Sequence, residues 1–93
     1  MSEGNALFAV VDLETTGFSP LVGDRIVEIA IVRIAGDGST VDEYATLINP
    51  LREVGPTHVH GITQEDVAQA PTFAEVVGDV LSRLAGVIFV GHN

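Results

Sequence analysis

Ala9-Val10-Val11-Asp12-Leu13-Glu14-Thr15-Thr16-Gly17 decides how this chain is read. Phe8 to Val11 predicts a buried strand, and two carboxylates two residues apart follow at its end. Side chains at i and i+2 of a strand leave on the same face, about 7 Å apart. Asp12 and Glu14 therefore address one spot, and Gly17 lets the backbone turn away. Packing does not ask for neighbouring acids at the mouth of an apolar strand. A hard divalent cation such as magnesium does, because it takes carboxylate oxygens and bridges them to phosphate. An Asp-x-Glu triplet alone arises easily in an acidic chain; its weight comes from the apolar strand before it and Thr15-Thr16-Gly17 after it.

Outward from that segment, Leu7 to Asp12 forms the first expected strand, and Phe18 to Asp24 carries turn residues and reads as a loop. Arg25 to Ile34 is nearly continuous and β-branched, which predicts a central strand covered on both faces. Gly36-Asp37-Gly38-Ser39 is a hairpin-like turn, and Val41 to Ile48 makes a third, more polar strand that stops at Asn49-Pro50. Short connections make these three strands an antiparallel meander. After Pro50 the period changes. Thr63 caps a short helix through Ala68, and Thr72-Phe73-Ala74-Glu75 matches a capping box. Phe73, Val76, Val77, Val80, Leu81 and Leu84 recur at helical spacing, so an amphipathic helix runs to a stop at Gly86. Val87-Ile88-Phe89-Val90 is a short, wholly apolar fourth strand, and the helix before it allows a crossover that sets it parallel to the first. Gly91-His92-Asn93 reads as a loop tip beside it.

Ninety-three residues make one small domain or part of a larger one, and 46% hydrophobic content suffices for a core. No apolar run approaches the roughly 18–20 residues that span a bilayer, and Met1-Ser2-Glu3-Gly4 lacks a basic secretory start. The absence of cysteine excludes disulfides and thiolate metal sites and makes the cytoplasm the expected location. Four arginines, no lysine and thirteen acids give a net charge of −9. No basic stripe for gripping long polyanions is visible, so phosphate, if met, is met through metal ions or through basic surface elsewhere.

Val11-Asp12-Leu13-Glu14-Thr15-Thr16-Gly17 resembles the first motif of the DEDDh, or DnaQ-like, 3′–5′ exonucleases, the group containing the proofreading epsilon subunit of bacterial DNA polymerase III. Further likenesses follow in order: Arg25 to Ile29 resembles that family's second strand, and Ile48-Asn49-Pro50 the end of its third. His60-Gly61-Ile62-Thr63 and Ala70-Pro71-Thr72-Phe73 match its helical segment, and Gly91-His92-Asn93 the opening of its second motif. The resemblance implies a ribonuclease-H-like α/β fold and hydrolysis of nucleotides from a 3′ end by two Mg²⁺ or Mn²⁺ ions. It implies that Asp12 ligates both metals and Glu14 one, that Thr15, Thr16 and Gly17 lie along the terminal nucleotide, and that His60 stands at the rim of the substrate pocket. The implied partner is the 3′ end of single-stranded or frayed DNA, or RNA, in the company of a DNA polymerase or repair complex and without a membrane.

The family pattern continues past His-Asn to another aspartate, a general-base histidine and a final aspartate. Residues 1–93 thus correspond to the N-terminal portion of one exonuclease domain, ending within the second motif, and the chain alone is expected to be catalytically silent. His92 belongs to the second motif's turn and is not the base. Glu28, mid-strand, reads as a buried, hydrogen-bonded support. His58-Val59-His60 lacks the further ligands of a tetrahedral zinc site. Two rivals stand beside this reading. One is a haloacid-dehalogenase-type phosphatase with Asp12, Glu14 and Thr16 in its opening motif, which would need a parallel sheet with helices between strands. The other is a non-catalytic nuclease-like domain that binds a partner.

Overall fold

The computed structural model describes residues 6–17, 25–55 and 57–92. Four strands form one sheet in the order β3-β2-β1-β4. β1 (Leu7–Thr15), β2 (Ile26–Ala35) and β3 (Thr40–Leu47) make the expected antiparallel meander. β4 (Ile88–His92) lies parallel to β1 on its other side. Between β3 and β4 come α1 (Thr57–His60), α2 (Gln64–Ala68) and α3 (Phe73–Leu84). The loop expected over 18–24 falls outside the described residues.

Local chemistry explains the element ends. Between β2 and β3, Gly38 takes φ 91° while the Asp37 carboxylate accepts from the Ser39 amide and hydroxyl, closing the turn. Thr63 caps α2 and Asp66 reaches back to the Thr63 amide. At α3 the Glu75 carboxylate accepts from the Thr72 amide and hydroxyl, and Gly86 at φ 71° follows the last turn. α1 lies where the sequence shows no helical period. It is one turn long, and Gly61 at φ 73° ends it by donating to the Thr57 carbonyl.

The core lies on one side of the sheet. Ala9 and Val11 of β1, Ile29 and Ile31 of β2, Ile48, and Val76 and Val80 of α3 are buried together, with Leu13, Tyr44 and Leu84 packed against them. Val27, Val54, Ile62 and Val67 form a second cluster under the α1–α2 segment. Two expectations need correction here. β2 is covered on one face only among the described residues: Glu28, Ala30, Val32 and Ile34 alternate with the buried positions and stay half-exposed. Leu81 and Phe73 do not join the buried stripe of α3; Leu81 is 62% exposed, because the seam centres on Val76 and Val80.

Both outer ends of the site strands run longer than expected. β1 continues through the two acids to Thr15, since Glu14 still pairs with Glu28 and Thr15 with Ile26. β4 extends through Gly91 and His92, which pair with Val11 and Asp12, so these residues are strand and not loop tip. Pairing with the central strand holds them extended where the sequence shows only a glycine and a polar residue.

Candidate active site

Asp12 and Glu14 sit on the face of β1 opposite the core. Alternation places Ala9, Val11 and Leu13 toward the helices, so Phe8, Val10, Asp12 and Glu14 share the other face. Asp12 pairs with Ala30 of β2 on one side and stands level with His92 of β4 on the other. It therefore occupies the junction between the antiparallel and the parallel ladder. The register shifts between Glu14 and Thr15, and such an irregularity bends the strand just past the second carboxylate.

Glu28 is not a buried support. It is half-exposed and directly opposite Glu14, on the same face as both acids. Cross-strand partners have Cβ atoms about 4.5–5.5 Å apart, and like charges there are destabilising. A divalent cation at this face would offset that repulsion. Sequence alone reads Glu28 as buried because its outward setting depends on strand register, which no local pattern near Glu28 specifies.

Beyond Glu14 the chain is tied down by its own polar groups. The Thr15 hydroxyl donates to the Gly17 carbonyl at 2.6 Å. Thr16 is only 5% exposed; its hydroxyl accepts from the Arg25 amide at 3.0 Å and its amide donates to the Arg25 carbonyl at 2.8 Å. The Thr16 side chain is thus turned inward, and what this segment offers outward is backbone and Thr15. Gly55 packs against it so closely that a Cβ on Gly55 would lie 2.2 Å from the Thr16 carbonyl oxygen.

His60 lies in the segment that carries Gly55. Its Nε2 is 2.9 Å from the Val54 carbonyl, and its Nδ1 accepts from the Ile62 amide at 2.9 Å. Both ring nitrogens are engaged with backbone, so a pocket-rim role is left to the ring face.

On the core side, Arg33 donates to both Asp42 carboxylate oxygens, Arg83 lies 3.8 Å from Asp42, and its guanidinium stacks 4.6 Å above Tyr44. These contacts clip α3 to the meander. The Arg33 hydrogen bonds hold the Asp42 carboxyl below the ordinary carboxylate range. The other two arginines, Arg25 and Arg52, line a cavity of about 880 Å³ with Asn49, Leu51 and Phe73, a feature with no local signal in the sequence. Leu51 in its wall has φ 59°, and its amide donates to the Asn49 side chain at 2.9 Å.

Among the described residues no three metal-binding side chains converge. Asp12 and Glu14 nevertheless supply two hard oxygen donors on one face, which suits part of a divalent-cation shell. No helix of the described residues is long and apolar enough to cross a membrane.

An antiparallel meander joined to a parallel strand is the sheet arrangement expected of a ribonuclease-H-like fold, and not the doubly wound parallel sheet that the phosphatase rival needs. The RNase_T exonuclease family model matches residues 9–93, and the chain belongs to that family. It is 46% identical over 91 residues to a PolC-type DNA polymerase III of Thermotoga petrophila, covering 96% of this chain and 6% of that one. It is 37% identical over 89 residues to the 3′-5′ exonuclease DinG of Bacillus subtilis, covering 92% of this chain and 9% of the relative. E. coli exonuclease I in complex with a dT13 oligonucleotide has the same fold, with a TM-score of 0.79 at 19% identity over 96% of this chain and 21% of that one. The chain thus spans less than a tenth of either curated relative.

Proposed function

We propose that this chain is the N-terminal portion of a metal-dependent 3′–5′ exonuclease domain that removes nucleotides from the 3′ end of DNA. The observation that carries the proposal is the shared outward face of Asp12 and Glu14 at the end of the central strand of an exonuclease-family sheet. In this reading Asp12 and Glu14 would hold divalent cations, Mg²⁺ or Mn²⁺, whose chemistry when bound would be activation of a water and stabilisation of charge on the leaving oxygen. Thr15 and the Thr16-Gly17 backbone lie along the terminal nucleotide. DNA is favoured over RNA because the relatives are a DNA polymerase and an exonuclease, and a structural neighbour holds a DNA oligonucleotide. The likeness to a polymerase III makes a replication or repair polymerase the expected partner, and the cytoplasm the expected place.

Two carboxylates make an incomplete cation shell, so the 93-residue chain is expected to bind metal weakly and to show no hydrolysis of a 3′-labelled single strand with magnesium. In a longer chain with the remaining ligands, Asp12→Ala or Glu14→Ala should abolish release of 3′-terminal nucleotides without unfolding the domain, because both acids face outward. Full activity in either variant would assign the chemistry elsewhere, with Glu28 the first residue to test. The same incompleteness favours one second reading, a non-catalytic nuclease-like domain that binds a partner. Persistent inactivity of the longer chain under magnesium and manganese would select it.

A further inference from the structure

A backbone amide can only donate a hydrogen bond and a backbone carbonyl can only accept one. The Ile62 amide donates to Nδ1 of His60, so that nitrogen must present its lone pair. The Val54 carbonyl meets Nε2, so that nitrogen must carry the proton. The two contacts therefore fix one neutral tautomer without any hydrogen being seen. They also span the turn: one reaches two residues forward, the other six residues back.

The segment held in this way is tied at every level. Val54 donates its amide to the Gln64 side chain at 3.0 Å while its carbonyl is taken by His60. The Thr57 hydroxyl donates to the Ile62 carbonyl at 2.9 Å. Val54 and Ile62 are buried against Val27 and Val67. Gly55, next to Val54, has φ 79° and lies against the Thr16 carbonyl, where no side chain fits. A shift of the Val54 carbonyl is thus passed, one residue on, to the backbone of the segment that follows Glu14.

We propose that His60 is a positioning residue: as the Nε2–H tautomer it pins the Val54–Ile62 turn, and through Gly55 it sets the Thr15–Gly17 segment. The inference rests on the exonuclease reading only for what that segment does, not for how it is held. Both nitrogens of His60 are taken by backbone groups of that turn. Its two functions can be separated by substitution. Asn at 60 keeps an acceptor near Nδ1 for Ile62, Gln keeps a donor near Nε2 for Val54, and Leu keeps neither.

The test uses the whole 93-residue chain with nitrogen-15-labelled histidine. The ring resonances of His60, identified by their loss in His60→Gln, should show protonated Nε2 and bare Nδ1. Amide hydrogen exchange at Thr16, whose amide is bonded to the Arg25 carbonyl, should speed up about tenfold in His60→Leu, an effect on the order of one lost hydrogen bond. His60→Gln should recover most of it and His60→Asn less, with Val76 and Val80 unchanged in all three. An Nδ1–H ring, unchanged Thr16 exchange in His60→Leu, or failure of Gln to rescue would overturn the proposal. Should His60→Leu not fold, the tautomer and the Gln–Asn comparison decide alone. Adding manganese and a nucleoside monophosphate tests the other reading separately: no broadening at residues 12–17 would remove the metal role of Asp12 and Glu14 and leave the positioning role standing.

Discussion

At the scale of single residues, the site is built from acids that strand register sets on one face. Asp12 and Glu14 share a face, and Glu28 adds a third negative charge across the ladder from Glu14. Manganese should therefore broaden NMR signals of residues 12–17, with Glu28 next, well before those of the remaining acids. Uniform broadening over all thirteen acids would leave only a diffuse ion atmosphere. The glycines offer a second, sharper comparison. Gly38 and Gly55 both have positive φ, but a Cβ on Gly38 would meet nothing, whereas one on Gly55 would strike the Thr16 carbonyl. Gly38→Ala should cost about 1–2 kcal/mol, the left-handed penalty alone. Gly55→Ala should cost more than about 2 kcal/mol, since backbone must also move. Equal urea midpoints for the two variants would show that the close approach at Thr16 is not maintained in solution.

At the scale of elements, carboxylates tie the ends together and make the acid limb of stability predictable. Asp42 is held low by its hydrogen bonds from Arg33, Glu75 by those from Thr72, and Asp37 by those from Ser39. All three carboxyls are lowered in the folded state, so each stabilises it fully above the ordinary carboxylate range and loses that contribution as pH falls through its lowered value. The groups are solvent-facing, so each effect is small and screened by salt. Asp42→Asn should flatten the acid limb of a urea-midpoint profile, and more so at low ionic strength. An unchanged limb would mean that the Arg33–Asp42–Arg83 cluster adds nothing measurable. The same elements show what a sequence reveals. The Thr63 cap, the Thr72 capping box, the Asp37–Gly38 turn and the parallel setting of β4 all follow from local signals or from a crossover rule. The single turn α1, the half-exposed face of β2 and the inward Thr16 hydroxyl depend on tertiary neighbours instead. Asp12 and Glu14 were legible because period-2 geometry alone aligns them. Glu28 needed the register of a partner strand, and His60 needed to show which backbone groups it meets.

At the scale of the whole molecule, apolar surface is left open. Ile88, Phe89 and Val90 are 52%, 60% and 43% exposed, and among the described residues β4 pairs only with β1. An unpaired apolar edge recruits other strands, and contiguous exposed patches of a few hundred Å² promote association. The 93-residue chain should therefore self-associate in a concentration-dependent way, read by sedimentation. Ile88→Lys with Val90→Lys should shift it toward monomer while the β1–β2–β3 meander persists by circular dichroism. A monodisperse monomer at high concentration would show that the edge is protected.

The pairing of β4 with β1 also governs the order in which the protein assembles. Phe8 meets Ile88 across 80 positions of chain, whereas β1, β2 and β3 meet through near neighbours in sequence. Closing the longer loop costs more entropy before any contact rewards it, and distant pairings slow folding. Mutations in the meander should slow refolding, while those in β4 should mainly speed unfolding. Asp12 stands where the early half of the sheet meets the late half. Its surroundings are then the last to be completed and the first to open.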